Sequence, residues 1–436
     1  MKAIGVIRYS RGESPSREEF EELLRSAGYD VLAVVEQKRE EHPGYNIGRG
    51  KLEELRRLVR ELRPDRVVFA NRLTPSQAYN LWKELRVDVI DRWQLVLEIF
   101  EKRAHSKEAK LQVELASLHY EIPFVKEAIR RIRLGDRAGF KGMGEYQTRQ
   151  YLRHVRRRMG RIRKRLEKIR EDREIRRKRR EELGFLLVAL AGYTNAGKST
   201  LLNALAGERL EAGNQMFTTL DTTTRRFGLG RRRVLVTDTV GFIDNLPPFI
   251  VEAFHSTLEE IVRADVVLLV LDASEPWGEV KRKLLASLRI LKELKALQKP
   301  TLIVMNKVDL LGREEAEEKR RRVVELCELY APSVRGVVAA SAKEGELEGL
   351  YKALEDLIPH LPKYRPLEVV VPNGTDPARV VSFIESVGEV LGVDYSDPVR
   401  VKALLPLGAL KELGKFGIKV EALNEADHGE EPVNDE

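Results

Sequence analysis

The residues of this chain best placed to do chemistry run consecutively: Gly192, Tyr193, Thr194, Asn195, Ala196, Gly197, Lys198, Ser199 and Thr200. Their spacing, G-x-x-x-x-G-K-S/T, is that of a phosphate-binding loop. The context agrees. Residues 185–190 (FLLVAL) form an unbroken apolar run, as for a strand buried on both faces, and residues 201–206 have a helical pattern. Two glycines let backbone N–H groups turn inward on a phosphate, and the N-terminus of the next helix adds positive partial charge. Lys198 is then placed to reach the β- and γ-phosphates and the Ser199 hydroxyl to ligate Mg²⁺. A plain strand-to-helix turn would leave Lys198 with nothing to contact.

Further patterns follow in the order a guanine-nucleotide site requires. Asp238-Thr239-Val240-Gly241 ends a β-like run. Asp238 would hold Mg²⁺ through water and the Gly241 N–H would sense a γ-phosphate. Asn306-Lys307-Val308-Asp309 follows a second buried run. A carboxylate at Asp309 can accept from both the ring N–H and the exocyclic amine of guanine, a pattern adenine lacks, and such a pocket rejects the wrong base strongly. Lys307 would cover the base and Asn306 brace the phosphate loop. Ser341-Ala342-Lys343 falls where a backbone N–H should meet the guanine oxygen, and Phe217-Thr218-Thr219-Leu220-Asp221 supplies Thr219 to close on Mg²⁺ and γ-phosphate. Lys198, Thr219 and Gly241 are the candidate catalytic residues; Ser199, Thr219 and, in the second sphere, Asp238 are the metal candidates. Where Ras-like enzymes carry a Gln that orients the attacking water, this chain has Phe242. Slow hydrolysis in isolation is expected, with acceleration from a partner, a rearranged loop or an ion. Asn195 is a candidate to place a K⁺ ion between the phosphates, as in some GTPases with similar loops.

These patterns need an α/β scaffold, and the chain length of 436 residues allows several domains. Residues 1–91 alternate short β-like runs with helical ones, which predicts a small parallel α/β domain. Within it, 46–51 (NIGRGK) precedes a helix and is read as a phosphate cradle, a tight turn or an RNA-phosphate contact. Residues 92–183 predict a long antiparallel helical hairpin. Apolar residues recur at 3.5-residue spacing from Leu111 to Ile132 and from Leu152 to Ile169, on either side of a Gly-rich tip at 135–144. Pro123 is expected to kink the first arm. Residues 184–362 hold the P-loop domain, a Pro-containing linker spans 359–366, 363–424 read as a small C-terminal α/β domain, and the acidic stretch 425–436 as a disordered tail.

The net charge of +8 is concentrated in one place: residues 153–180 carry 16 Lys/Arg against 4 Asp/Glu. A solvated coiled-coil face normally mixes signs, so this excess points to a polyanion. Arg153, Arg156, Arg157, Arg158, Arg161, Arg163, Lys164 and Arg165 are the candidate RNA-binding residues. No aromatics interleave them, so phosphate and shape contacts with strong salt dependence are expected rather than base stacking. The single cysteine, Cys327, fits a reducing cytoplasm. No run of 18 apolar residues and no leader pattern is present, so neither a membrane span nor secretion is expected.

Several stretches together resemble the HflX family of translation-linked GTPases. They are 192–200 (GYTNAGKST), 217–221 (FTTLD), 238–260 (DTVGFIDNLPPFIVEAFHSTLEE), 46–55 (NIGRGKLEEL), 73–78 (LTPSQA) and 103–118 (RAHSKEAKLQVELASL). The resemblance covers essentially the whole chain. It implies a cytoplasmic GTPase, monomeric, that binds GTP and GDP with Mg²⁺, docks on the rRNA of the large ribosomal subunit and splits ribosomes, the hairpin reaching toward the peptidyl-transferase region. One departure stands out. The family's long Gly-Pro-containing tip loop is replaced here by a shorter sequence, 138–146 (AGFKGMGEY), without the proline. Two other readings stay open: a GTP-gated rRNA-binding assembly or dormancy factor without splitting activity, and ATP-dependent RNA remodelling by the N-terminal domain.

Overall fold

The computed structural model describes residues 1–11, 16–133, 145–182, 185–207, 223–229, 232–242, 250, 255–361, 364–406, 408–415 and 418–422. The hairpin tip at 135–144 and the tail at 425–436 lie outside them. The architecture is multidomain α/β, in two compact units: one is built on Met1–Arg170, the other on Glu171–Ala212, Thr222–Asp244 and Thr257–Glu436.

The first unit opens with β1 (Lys2–Tyr9), α1 (Arg17–Ser26), β2 (Asp30–Lys38), α2 (Arg49–Leu62), β3 (Arg66–Phe69), α3 (Pro75–Leu85), β4 (Asp88–Ile90) and α4 (Arg92–Arg103). The strands form a parallel sheet of order β2-β1-β3-β4. Central β1 buries Ala3, Ile4, Val6 and Ile7, an apolar run covered on both faces. Helix starts follow their caps. Thr74 and Gln77 make a reciprocal capping box at α3, and Asp91 accepts from the backbone N–H groups of Trp93 and Gln94 at α4. The sequence assigns residues from 92 onward to the hairpin; α4 buries Trp93, Leu95, Val96, Ile99 and Phe100 and packs on the first hairpin arm as well as on α1 and β3, so it joins that arm to the sheet.

The two arms are α5 (Lys107–Arg133), which continues through Pro123, and α6 (Glu145–Glu182). Leu115 packs with Val155, Met159 and Ile162, flanked by Leu111, Leu118, Ile122 and Leu166. Tyr151 donates to Glu121 at 3.0 Å, Arg163 meets His119 at 2.8 Å and Arg158 pairs with Glu114, which ties the two arms together. α3 is tied to α5 where Ser76 donates to Glu127 at 2.8 Å. Hydrogen bonding from Arg130 is the main cause that pulls the Glu127 carboxyl down to about 2.

The second unit contains β5 (Leu186–Gly192), α7 (Lys198–Leu205), β6 (Thr223–Leu229), β7 (Arg232–Asp238), α8 (His255–Arg263), β8 (Val266–Asp272), α9 (Trp277–Glu293), β9 (Thr301–Asn306), α10 (Arg313–Tyr330), β10 (Val334–Ala339) and α11 (Glu348–Leu357). Its sheet runs β10-β9-β8-β5-β7-β6. All neighbours are parallel except β6, which pairs antiparallel with β7. Then follow β11 (Tyr364–Val370), α12 (Pro377–Val387), β12 (Glu389–Asp394), β13 (Arg400–Pro406), α13 (Ala409–Lys415) and β14 (Lys419–Ala422). Their antiparallel order β12-β13-β11-β14 is the βαββαβ arrangement of ferredoxin-like domains. The stretch expected to be a linker already starts β11: Tyr364 lies in the core of the preceding sheet and its hydroxyl donates to the Val387 carbonyl at 3.4 Å. Among the described residues no helix is long and apolar enough to cross a membrane.

Leu115→Ala empties the centre of the hairpin seam and should lower stability by about 2–4 kcal/mol. Ile175→Ala, on a side chain 69% exposed, should change it by less than about 0.5 kcal/mol. Denaturant melts of the two variants, followed by helical circular dichroism, check the contrast.

Candidate nucleotide-binding site

Three parallel strands end at one edge of the second sheet: β5 at Gly192, β7 at Asp238 and β9 at Asn306. The carboxyl ends of parallel strands form the usual ligand crevice of an open α/β sheet. Gly197 caps α7 with φ of 87°, and a Cβ there would collide with the Asn306 amide. Asn195 also takes a left-handed conformation, φ 64°. The loop between β5 and α7 therefore curls tightly and brings its backbone round to one centre.

Lys198 is 6% exposed and donates to the carbonyls of Gly192 at 3.0 Å and Tyr193 at 2.6 Å. Burial pulls its ammonium from the usual 10.5 to about 8, opposed by the charge of Asp238. Asp238 is wholly buried and accepts from the Ser199 hydroxyl at 2.7 Å. Thr239 donates to the Leu190 carbonyl at 2.7 Å, which locks the start of this segment onto β5, and Val240 is buried. Gly241 approaches so closely that a Cβ would lie 2.7 Å from Thr194 Cγ2 and 3.1 Å from Lys198 Nζ. Thr194 is itself 3% exposed, and its hydroxyl is buried without a hydrogen-bond partner among the described residues. Thr200 sits half-buried in the first turn of α7. Phe242 is joined to the loop by two backbone bonds: its N–H donates to Gly192 O at 2.9 Å and its carbonyl accepts from Thr194 N at 3.0 Å. Its side chain is wholly buried, so this position presents backbone and no side chain to the crevice.

On the other side, one amide ties two loops together. Asn306 Nδ2 donates to Ala196 O at 2.9 Å, and its Oδ1 accepts from Ala342 N at 3.0 Å. Lys307, at φ 65°, turns its side chain back and donates to Asp272 at 2.6 Å. Val308 opens a short 3₁₀ turn that presents Asp309 at the surface, where its carboxylate accepts from the buried Ser341 hydroxyl at 2.6 Å. Lys343 is 75% exposed beside Glu344. Phe217, Thr218, Thr219, Leu220 and Asp221 lie outside the described residues. Asp272, which sequence reasoning passed over, belongs to the site through Lys307; its one signal is a lone carboxylate ending the apolar run 266–271.

The edge can bind phosphate through curled backbone and a buried ammonium, and can present a carboxylate to a base. For the metal, the Ser199 hydroxyl and Asp238 carboxylate are hard oxygen donors already in contact, a set that suits Mg²⁺. The second candidate cradle, 46–51, leads into α2 with Gly48 at its N-cap. Gly48 N–H donates to Gln37 at 2.9 Å, and Lys51 pairs with Glu54 at 2.8 Å. On α6, Arg153, Arg156, Arg157, Arg161, Lys164 and Arg165 are exposed, while Arg158 and Arg163 reach the first arm.

Known proteins align with these features. Residues 187–307 match the domain family described as 50S ribosome-binding GTPase, 14–101 match GTP-binding GTPase N-terminal, and 103–180 match GTP-binding GTPase Middle Region. The chain is 67% identical over its full length to GTPase HflX of Thermococcus kodakarensis, covering 99% of that protein. It is 45% identical to GTPase HflX of Thermofilum pendens over 82% of this chain and 83% of that one. Among solved structures, the SsGBP–GDP complex is similar at TM-score 0.50 and 27% identity, over 82% of this chain and 98% of that one.

Because Lys198 sits near 8 in the free protein and a phosphate would favour its charged form, nucleotide binding should take up protons above that pH. Calorimetric titration of GDP at pH 9 in buffers of different ionisation enthalpy should show uptake that vanishes at pH 7. The same shift makes this group favour the free fold increasingly as pH rises from about 8 toward 10.5, because the unfolded chain binds the proton more tightly.

Proposed function

This chain belongs to the HflX GTPase family, and from that membership we propose that it is a ribosome-splitting GTPase that binds the large subunit when loaded with GTP. The observation that carries the nucleotide part is the double tie of Asn306 to Ala196 and Ala342, which holds phosphate loop and base loop as one pocket. In this reading the curled loop Gly192–Thr200 wraps the phosphates, and Lys198 pays for its burial by pairing with them. Ser199, Thr219 and, through water, Asp238 would hold Mg²⁺, which would supply positive charge against the phosphates. Asp309 recognises the guanine edge, Lys307 covers the ring and the Ala342 N–H faces the guanine oxygen. Asn195 is the residue to which K⁺ is assigned.

Hydrolysis is slow in isolation because position 242 brings only backbone to the crevice. A ribosome-induced rearrangement is the source of acceleration, and related switches gain up to about 10⁵-fold from a partner. Loss of the γ-phosphate frees Gly241 and Thr219 and weakens docking. The exposed basic residues of α6 are the rRNA contacts, a phosphate-reading surface. Cytoplasmic location and a monomeric state follow from this reading.

Pure ribosomes should raise the GTPase rate at least about tenfold. Sucrose-gradient sedimentation with a non-hydrolysable GTP analogue should show separated subunits. Intact ribosomes carrying the protein would instead indicate a binding factor without splitting, and an unstimulated rate would overturn the ribosomal reading altogether. Replacing Arg156, Arg157, Arg161, Lys164 and Arg165 by Gln should flatten the salt dependence of ribosome binding by several phosphate contacts, about 0.9 in log–log slope for each on duplex and about 0.7 on single strands. Asp309→Asn should move preference from guanosine to xanthosine nucleotides in competition binding; retained guanine preference would remove the base-pocket assignment.

A further inference from the structure

We propose that Asp272 is a positioning residue of the base pocket, holding Lys307 in the posture that makes its stem a fixed wall for the guanine ring. The proposal rests on the reading of Asn306–Asp309 as the guanine loop. β8 ends at Asp272, which stands opposite Asn306 in the parallel register with β9. One residue later Lys307 adopts φ 65°, a left-handed conformation that an L residue rarely takes without local compensation. That turn sends its side chain back across the strand ends. The ammonium is caught by Asp272 Oδ2 at 2.6 Å, while Lys307 Cε passes about 4.0 Å from where a Cβ on Gly197 would stand. The stem thus has a fixed far end and runs along the phosphate loop.

Asp272 is itself held. Its other oxygen accepts from the Ser274 N–H at 3.0 Å and the Ser274 hydroxyl at 2.5 Å, and Ala273 N–H donates to Asn306 O at 2.9 Å. From α10, the Lys319 ammonium donates to the carbonyls of Ala273 and Glu275, each at 2.9 Å. Lys319 is 7% exposed, and its ammonium also pairs with Glu315 on the same helix at 2.8 Å. A lysine stem has several rotatable bonds, and left loose it would have to be ordered each time a base bound. Fixing it beforehand removes that entropy cost from binding. Asp272 carries no contact with the nucleotide in this scheme; it acts only through Lys307.

The test is GDP and GTP affinity of the full-length protein by calorimetry. Asp272→Asn keeps an oxygen for Ser274 but loses the charge that holds Lys307. It should weaken both nucleotides by about tenfold, the scale of one charge-assisted hydrogen bond. Combined with Lys307→Ala it should add nothing to the loss caused by Lys307→Ala alone, because the two changes cut the same link. Affinity within about twofold of the parent, or losses that add, would overturn the proposal. Ser274→Ala disturbs the same turn without touching the ammonium; a loss equal to that of Asp272→Asn would assign the effect to loop shape and also overturn it. Should Asp272→Asn fail to fold, Lys307→Met reads the link from the other end, with the same tenfold weakening expected and unchanged affinity counting against it. Asp309→Asn with unaltered guanine preference would sink the underlying pocket reading, an outcome independent of these.

Discussion

A positive charge buried at the phosphate loop is the constraint around which the second unit is arranged. Lys198 lies at the start of α7, on the strand-loop-helix turn, and is the one charged side chain of that turn. Two carbonyls accept its protons, and Asp238, across the turn at the end of β7, supplies the nearest opposite charge. That arrangement is incomplete as electrostatics, because burial still depresses the ammonium. A polyanion with phosphate geometry completes it. Placement of β5 beside β7, the wholly buried Asp238 and the close pass of Gly241 all serve to put that charge where one ligand can meet it.

Around this charge the loops are anchored through their main-chain groups. Phe242 is held by its N–H and carbonyl, and Asn306 fixes two loops by bonding to their main chains. Backbone anchoring keeps the crevice walls in place while leaving their inner surfaces to a ligand. It also means that movement of the segment after Asp238 must break the Phe242 pairings, so a switch there is gated by discrete bonds.

Much of this was legible in the sequence because the signals are local. The phosphate loop, the strand-ending Asp238 and the Asn306–Asp309 turn each declare themselves by residue type at fixed spacing after an apolar run. The seam of the hairpin is visible for the same reason: Leu115, Val155 and Met159 recur at coiled-coil spacing. What stayed hidden depends on contacts distant in the chain. Strand β6 is hard to read from the sequence because only Phe227 and Leu229 of its seven residues are buried, too few for an alternating pattern. Helix α4 reads as part of the hairpin because its apolar content says helix without showing that α1 and β3 cover it as well as the first arm. Asp272 carries no motif; its place is set by a lysine 35 residues later. Residues 217–221, central to the sequence argument, lie outside the described residues.

Tyr364 changes how the end of the chain is to be understood. One ring is shared: it fills the core of the six-stranded sheet, and its hydroxyl reaches the end of a helix in the βαββαβ fold. The last module is therefore no detachable appendage. Trimming the chain just before it would open a hole in the nucleotide-bearing core, because Tyr364 is part of that packing.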